Sequence, residues 1–160
     1  KWLNRKNLND TSIGIELVNP GHQHGYKVFS ENQYRSLEKL IEILVKKYDI
    51  KKDRILGHSD IAPSRKLDPG EKFDWHRLAK KGLAIWPAKI LRVPESMESD
   101  KLLYNLLYEI GYDVKNHFKP SLLAFKRHFI PSNIDEGANE ELINIAYSVY
   151  KEFSKVRSLY

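Results

Sequence analysis

The sequence predicts an α/β protein that is followed by a small domain of three helices. Three patterns lead to this prediction: alternating apolar residues at 12–18, an amphipathic stretch at 30–48, and three helical apolar stripes after residue 98. A period of two residues is typical of strands, and a period of 3.6 is typical of helices. We therefore expect strands and helices in the first half and only helices in the second.

Residues 12–18 are predicted to form a strand that stops at the turn residues 19–21, Asn-Pro-Gly. Side chains alternate between the two faces of a strand, so the apolar residues at every second position would share one face. These residues are Ile13, Ile15 and Leu17. Glu16 would lie on the opposite face, away from the apolar layer.

The amphipathic stretch begins with the signature of a helix N-terminus. Ser30 is the expected N-cap, Gln33 completes a capping box, and Phe29 is placed to contact Tyr34. Apolar residues then recur with helical spacing as far as Tyr48. We expect this helix to pack on the sheet.

A second buried strand is predicted at residues 54–57, Arg-Ile-Leu-Gly. It would present His58 at its C-terminal end, where open α/β sheets bind their ligands. Residues 59–73 contain two prolines and Gly70 and are expected to form a loop. A short helix at 74–81 should follow.

A proline-containing segment divides the chain into two predicted domains. We assign residues 1–86 to the α/β domain, 87–97 to a linker, and 98–160 to the helical domain. The three stripes of the helical domain begin at Leu102, Leu122 and Leu142.

Charge and composition restrict the function without choosing it. The net charge is +6, and residues 1–90 hold 18 Lys and Arg against 11 Asp and Glu. A basic surface attracts nucleic acid or a substrate rich in carboxylates. Because no nucleic-acid motif accompanies the charge, we expect no nucleic-acid partner. The chain has no cysteine, so a metal would need His, Asp or Glu ligands, and no apolar run reaches the roughly 20 residues of a membrane span.

His58 and Asp68 are the candidate metal ligands. A hydrolytic zinc site needs imidazole and carboxylate ligands and an open position for water. A spacing of ten residues, with a proline-restrained loop between the two, permits such a pair but does not require it. A hydrogen-bonded structural histidine and an aspartate that caps its own turn fit the same pattern. Both interpretations stay open on spacing alone.

Several separate blocks of sequence resemble the zinc-dependent N-acetylmuramoyl-L-alanine amidases that are related to peptidoglycan recognition proteins. The resemblance covers roughly residues 7–86 and rests on the blocks Ser12 to Glu16, Gly57 to Pro63, Arg65-Lys66 and Asp68 to Gly70. It implies a mixed β-sheet flanked by helices. It also implies hydrolysis of the amide between N-acetylmuramic acid and L-alanine in peptidoglycan or muropeptides.

The resemblance assigns a role to four residues. It places zinc ligands at His58 and Asp68, and catalytic groups at Glu16 and Lys66. With zinc as cofactor, Glu16 would transfer a proton and the ammonium of Lys66 would stabilise the oxyanion. The other candidates are assigned to lesser roles: His22 and His24 to a loop or to substrate contact, and His76, His117 and His128 to structure.

The resemblance also implies a third ligand, a histidine on an upstream strand that precedes this sequence. Because the chain opens without Met, we expect that its first residue is not the start of the gene product. Because two protein ligands alone make a poor hydrolytic site, we expect residues 1–160 alone to be inactive. The helical domain is similar to small peptidoglycan-binding domains. These likenesses imply the bacterial cell envelope, periplasm or outer membrane, in preference to the cytoplasm. A recognition module that binds muropeptides without cleaving them is the alternative function, and the sequence does not indicate an oligomeric state.

Overall fold

The computed structural model describes residues 1–97, 101–135 and 137–159, and helices dominate it. Six α-helices are present in this part of the chain, with short 3₁₀ turns between them. They are α1 (Glu31–Tyr48), α2 (His58–Ile61), α3 (Trp75–Lys80), α4 (Leu102–Ile110), α5 (Val114–Phe129) and α6 (Glu140–Arg157). The predicted start of the helical domain at residue 98 lies outside the described residues.

The predicted mixed β-sheet is wrong for this structure. Across the described ranges the sole β-type pairing is an isolated bridge between Trp2 and Arg5. Residues 12–18 are not helical, but no second strand pairs with them, and Ile13 and Ile15 remain 51% and 37% exposed. A strand is stabilised by the ladder it forms with its neighbour, so an alternating pattern without a neighbour yields no sheet.

The second predicted strand is also replaced by other structure. A 3₁₀ turn occupies Lys52–Arg54, irregular backbone follows, and α2 begins directly at His58. His58 therefore lies at the start of a short helix and not at the end of a strand. The expected loop at 59–73 begins with three residues of that helix.

Helix α1 begins as the sequence predicts. The amide of Gln33 donates to Ser30 Oγ at 3.3 Å and the amide of Ser30 donates to Gln33 Oε1 at 2.9 Å, which completes the capping box. The ring of Phe29 meets Tyr34 edge to face with centroids 6.2 Å apart. Such a box offsets two of the unsatisfied amides of a helix N-terminus.

The buried face of α1 packs on aromatic residues and α3, and not on a sheet. Tyr34, Leu37 and Ile41 share an apolar cluster with residues from the end of the chain's first half. We call this the α1 core: Phe29, Tyr34, Leu37, Ile41, Phe73, Trp75, Leu78, Leu83 and Ala84. Helix α3 was predicted at 74–81; Asp74 is its N-cap, and it ends before Gly82, whose φ of +73° favours glycine.

The second half follows its three predicted stripes. Helices α4 and α6 are the most extensively packed pair, and α4 also packs on α5. Their buried residues form a helical core that includes Leu107, Phe125, Val149 and Phe153 and to which Trp2 and Ile85 also belong. Helix α5 begins at Val114, eight residues before its predicted stripe. It bends at His117, three residues before Pro120, and the stripe lies in the part after the bend.

The N-terminus lies against this helical core. The amide of Leu3 donates to the carbonyl of Gly111 at 3.0 Å, and the Trp2 indole covers Gly111, where a Cβ would come within 2.7 Å of the ring. Only a residue without a side chain allows so close an approach, and the φ of +134° at Gly111 favours glycine for the same reason. The predicted division into domains at 86 and 97 is not tested and stays a prediction.

None of the helices in the described ranges is both long and apolar enough to cross a membrane.

Candidate functional site

The two candidate metal ligands, ten residues apart in sequence, meet in the structure. Nδ1 of His58 lies 3.0 Å from Oδ2 of Asp68, and the two side chains are 43% and 61% exposed. A carboxylate and an imidazole are therefore presented together to solvent. No shared helix or strand explains this contact, so it depends on how the intervening loop folds back.

Backbone contacts fold that loop back. The amide of Ser59 donates to the carbonyl of Asp68 at 2.8 Å, and the bond between Asp68 and Pro69 is cis. Gly57 lies so close to Pro69 that an added Cβ would sit 2.9 Å from its Cδ and 3.2 Å from Trp75. The glycine before His58 is therefore required by close packing.

A buried carboxylate lies on the opposite side of α2 from solvent. Asp60 is 1% exposed, and its Oδ2 accepts from the amide of Gly57 at 2.8 Å. The same oxygen lies 2.8 Å from Nδ1 of His128, while Oδ1 accepts from the hydroxyl of Tyr112 at 2.7 Å. Three partners satisfy this carboxylate, as a buried charge requires. We call Asp60, Tyr112 and His128 the buried network.

The two side-chain partners of Asp60 come from the second half of the chain and are buried. His128 is 5% exposed in α5, and its ring stacks on that of Trp75 with centroids 4.0 Å apart and an interplanar angle of 16°. Tyr112 follows α4 and is 2% exposed. Burial, and then the charge of Asp60, raises the pKa of Tyr112 well above its ordinary value. The phenol therefore keeps its proton and donates.

A second set of contacts, which we call the Tyr26 clamp, holds the other candidate ligand. Tyr26 donates its hydroxyl to the carbonyl of Pro69 at 2.6 Å and accepts from the amide of Lys72 at 3.0 Å. The ring of His22 stacks on Tyr26 at 4.4 Å, and its Nε2 lies 2.9 Å from Oε2 of Glu71. Burial raises the pKa of Tyr26 to about 12. The loop of His22 and His24 therefore supports the backbone next to Asp68.

The two predicted catalytic groups are less constrained. Glu16 is exposed and Lys66 is half-buried; the side chain of neither makes a hydrogen bond or ion pair within the described residues. The backbone of Lys66 is fixed, because its amide donates to the carbonyl of Ala62 at 3.0 Å. The structure thus brings His58 and Asp68 into contact, and among the described residues it shows no hydrogen bond or ion pair from Glu16 or Lys66 to that pair.

The donor set of the pair fits zinc as part of a site. Bonds of about 2.1 Å at a tetrahedral angle put adjacent ligand atoms roughly 3.4 Å apart, close to the 3.0 Å observed here. Among the residues that the structure describes, no group of three or more His, Asp or Glu side chains could hold a metal ion. The pair therefore offers two candidate ligand atoms, and the described residues add no third.

Sequence reasoning missed the buried network. Asp60 looked like an ordinary residue of the 57–63 block, and His128 was assigned to structure without a partner. A capping interaction from Asp60 back to Gly57 is readable from the spacing of three residues. The contact with His128 spans 68 residues, and no local pattern encodes it.

A protein-family model described as "N-acetylmuramoyl-L-alanine amidase" matches residues 2–71. AmiD of Escherichia coli, an N-acetylmuramoyl-L-alanine amidase, is 35% identical over 96% of this chain and 62% of its own length. The 1,6-anhydro-N-acetylmuramyl-L-alanine amidase AmpD of Haemophilus influenzae is 49% identical over 46% of this chain and 38% of its own length.

Two solved structures extend the likeness to the fold. AmiD from E. coli, in complex with the substrate anhydro-N-acetylmuramic acid-L-Ala-D-γ-Glu-L-Lys, superposes with a TM-score of 0.80 at 34% identity, covering 94% of this chain and 65% of that one. AmpDh3 from Pseudomonas aeruginosa superposes with a TM-score of 0.83 at 30% identity, covering 96% and 66%.

The chain is similar to the N-acetylmuramoyl-L-alanine amidases, and the family model matches 70 of its 160 residues. Among these amidases its likeness is to AmpD and AmiD, and its similarity to AmiD runs along nearly the whole chain. The chain spans somewhat less than two thirds of the length of AmiD.

Proposed function

We propose that the protein to which this chain belongs hydrolyses the amide bond between N-acetylmuramic acid and L-alanine in peptidoglycan or muropeptides. The observation that carries the proposal is the contact between His58 and Asp68 at 3.0 Å, exposed to solvent at the end of a braced loop. The similarity to N-acetylmuramoyl-L-alanine amidases supports the reaction type, and the muropeptide in the AmiD complex supports the substrate class.

The proposed cofactor is zinc, held by His58 and Asp68 together with the upstream histidine that the family resemblance implies. A zinc ion at this pair would supply Lewis acidity and a water molecule of lowered pKa. The hydrogen bond between His58 and Asp68 orients the imidazole towards the carboxylate. The bond from the amide of Ser59 to the carbonyl of Asp68 keeps the two side chains in register.

The proposed chemistry divides the proton and charge transfers between two residues. Glu16 accepts a proton from the attacking water and passes it to the leaving amine of L-alanine. The ammonium of Lys66 stabilises the oxyanion that forms on the muramoyl carbonyl. The exposure of Glu16, and the fixed backbone of Lys66 two residues before Asp68, support these roles.

The two-domain organisation completes the proposal. Residues 1–86 form the catalytic part, 87–97 the linker, and 98–160 a domain that binds peptidoglycan. A peptidoglycan substrate places the protein in the bacterial cell envelope, in the periplasm or at the outer membrane.

The full-length gene product tests this function. It is incubated with anhydro-N-acetylmuramic acid-L-Ala-D-γ-Glu-L-Lys or with intact peptidoglycan, and the products are identified by mass spectrometry. We expect free peptide beginning with L-Ala, and at least a hundredfold loss of rate in Glu16→Gln and Lys66→Met. Glu42→Gln and Lys46→Met, at exposed positions of α1, are the matched controls and should retain the rate.

Two outcomes contradict the proposal. Binding of the muropeptide without any cleavage would favour the alternative, a recognition module. Cleavage that persists after a chelator has removed all metal would exclude zinc as the cofactor. Residues 1–160 alone should show no turnover.

A further inference from the structure

A fully buried polar site lies on the side of α2 that faces away from His58. Asp60, Tyr112 and His128 are 1%, 2% and 5% exposed, and the site links α2 to the segment after α4 and to the end of α5. The proposed reaction uses none of these groups. Burying a carboxylate is costly, so its presence here calls for a physical reason.

The network acts on the backbone that carries His58. Oδ2 of Asp60 accepts from the amide of Gly57, the residue before His58, at 2.8 Å. The amide of Asp60 also donates to the carbonyl of Gly57 at 3.1 Å. Two hydrogen bonds therefore fix the turn on which the imidazole stands, although α2 itself is only four residues long. So short a helix has little stability of its own.

The far ends of the network are anchored in the helical core. The ring of His128 stacks on the rings of Trp75 and of its neighbour Phe129, and the centroids are 4.0 Å apart in both pairs. Tyr112 meets Trp2 edge to face with centroids 5.0 Å apart. Any movement of Asp60 must therefore break hydrogen bonds to side chains that are themselves immobilised by packing.

We propose that Asp60 is a positioning residue for the zinc ligand His58, and that Tyr112 and His128 hold it there, so that the C-terminal helices set the metal affinity of the site. This inference rests on the proposed function. It gives the C-terminal helices a second role besides the proposed binding of peptidoglycan, because their packing fixes Asp60 and Asp60 in turn fixes the backbone next to His58. Outer hydrogen bonds that orient a metal ligand typically change the affinity tenfold or more.

Zinc affinity in the full-length gene product tests the role. Tyr112→Phe removes one hydroxyl and keeps the ring, and Asp60→Asn keeps the shape and weakens the acceptor. We expect both to lower the affinity for zinc roughly tenfold in competition with a chromophoric chelator, and to alter the visible absorption of the cobalt-substituted protein.

Ser148→Ala is the matched control. Ser148, in α6, is 1% exposed, and its hydroxyl accepts from the amide of Leu91 at 2.8 Å and donates to the carbonyl of Asn144 at 2.7 Å, so neither of these hydrogen bonds involves Asp60. We expect it to lower the melting temperature as much as Tyr112→Phe does while changing the zinc affinity less than twofold.

The results distinguish the positioning role of Asp60 from the proposed function. Unchanged zinc affinity and an unchanged cobalt spectrum in Tyr112→Phe and Asp60→Asn, with normal binding by the wild type, would overturn the positioning role and leave the proposed function standing. An equal loss of zinc affinity in Ser148→Ala would also overturn it, because a general loss of packing in the helical core would then explain the effect. Failure of the wild type to bind zinc would overturn both.

Discussion

The two candidate ligands are supported in different ways. His58 stands on a turn held from behind by Asp60, a buried carboxylate with partners from the C-terminal helices. Asp68 precedes a turn held by Tyr26 and His22, which come from a nearby loop and are partly exposed. Hydrogen bonds in a dry interior cost much more to break than those at the surface. We therefore expect the His58 side to be rigid and the Asp68 side to be adjustable.

Asp60→Ala should have the largest effect on stability. It leaves the hydroxyl of Tyr112, Nδ1 of His128 and the amide of Gly57 without their buried acceptor, and breaking such a network costs about 3–5 kcal/mol. Urea denaturation of wild type and variant would measure the loss. A loss below about 1 kcal/mol would show that the buried network does not anchor α2.

Gly57→Ala should be next. An added Cβ would meet Pro69 at 2.9 Å and the ring of Trp75 at 3.2 Å, and overpacking of this kind costs about 1–3 kcal/mol. Gly14→Ala is the control, since nothing lies within 4 Å of a Cβ there. Equal denaturation midpoints for the two variants would contradict the close packing at Gly57.

Tyr26→Phe should be milder. It removes the hydroxyl that donates to Pro69 and accepts from Lys72, and the loss of these two partly exposed hydrogen bonds costs about 1–2 kcal/mol. Tyr48→Phe, at a position 54% exposed at the end of α1, should change the unfolding free energy by less. If Tyr26→Phe cost as much as Asp60→Ala, the contrast between the two supports would not hold.

The Tyr26 clamp should also weaken at high pH. The pKa of Tyr26 is raised to about 12 from an ordinary value near 10, mainly by burial. Because the folded state holds this proton more tightly, the stability from Tyr26 is complete below pH 10 and is lost as the pH rises towards 12. Melting temperatures between pH 9 and 12 should fall more steeply in the wild type than in Tyr26→Phe. An equal fall of the melting temperature with pH in the two proteins would contradict the raised pKa of Tyr26.

The smallest effect should come from His22→Ala. The pair of His22 and Glu71 is partly exposed, with side chains 34% and 26% accessible, and such pairs contribute at most about 1 kcal/mol. The unfolding free energy should change by about that amount or less. A larger loss would mean that stacking on Tyr26 contributes more than the ion pair.

The helices were predictable because their signals are local. The capping box of Ser30 and Gln33 and the apolar stripes of α4 and α6 each lie within a few turns of one element. The β-sheet was predicted wrongly because a strand needs a partner, and alternation at Ile13 and Ile15 says nothing about whether one is present. The two isoleucines consequently remain exposed.

The candidate site was predictable only in part. The sequence blocks indicated His58 and Asp68, and the structure brings these two into contact. The roles of Glu16 and Lys66 stay predictions. The buried network was invisible because Asp60 and His128 are brought together by the packing of α5 against α2, and long-range packing leaves no mark at either position alone.

Metal analysis of the full-length gene product tests the central claim, that His58 and Asp68 hold zinc, most directly. The account predicts close to one zinc per chain in the wild type, its loss in His58→Ala and in Asp68→Ala, and its retention in His76→Ala at the exposed surface of α3. A zinc content that is the same in all four proteins would contradict the account.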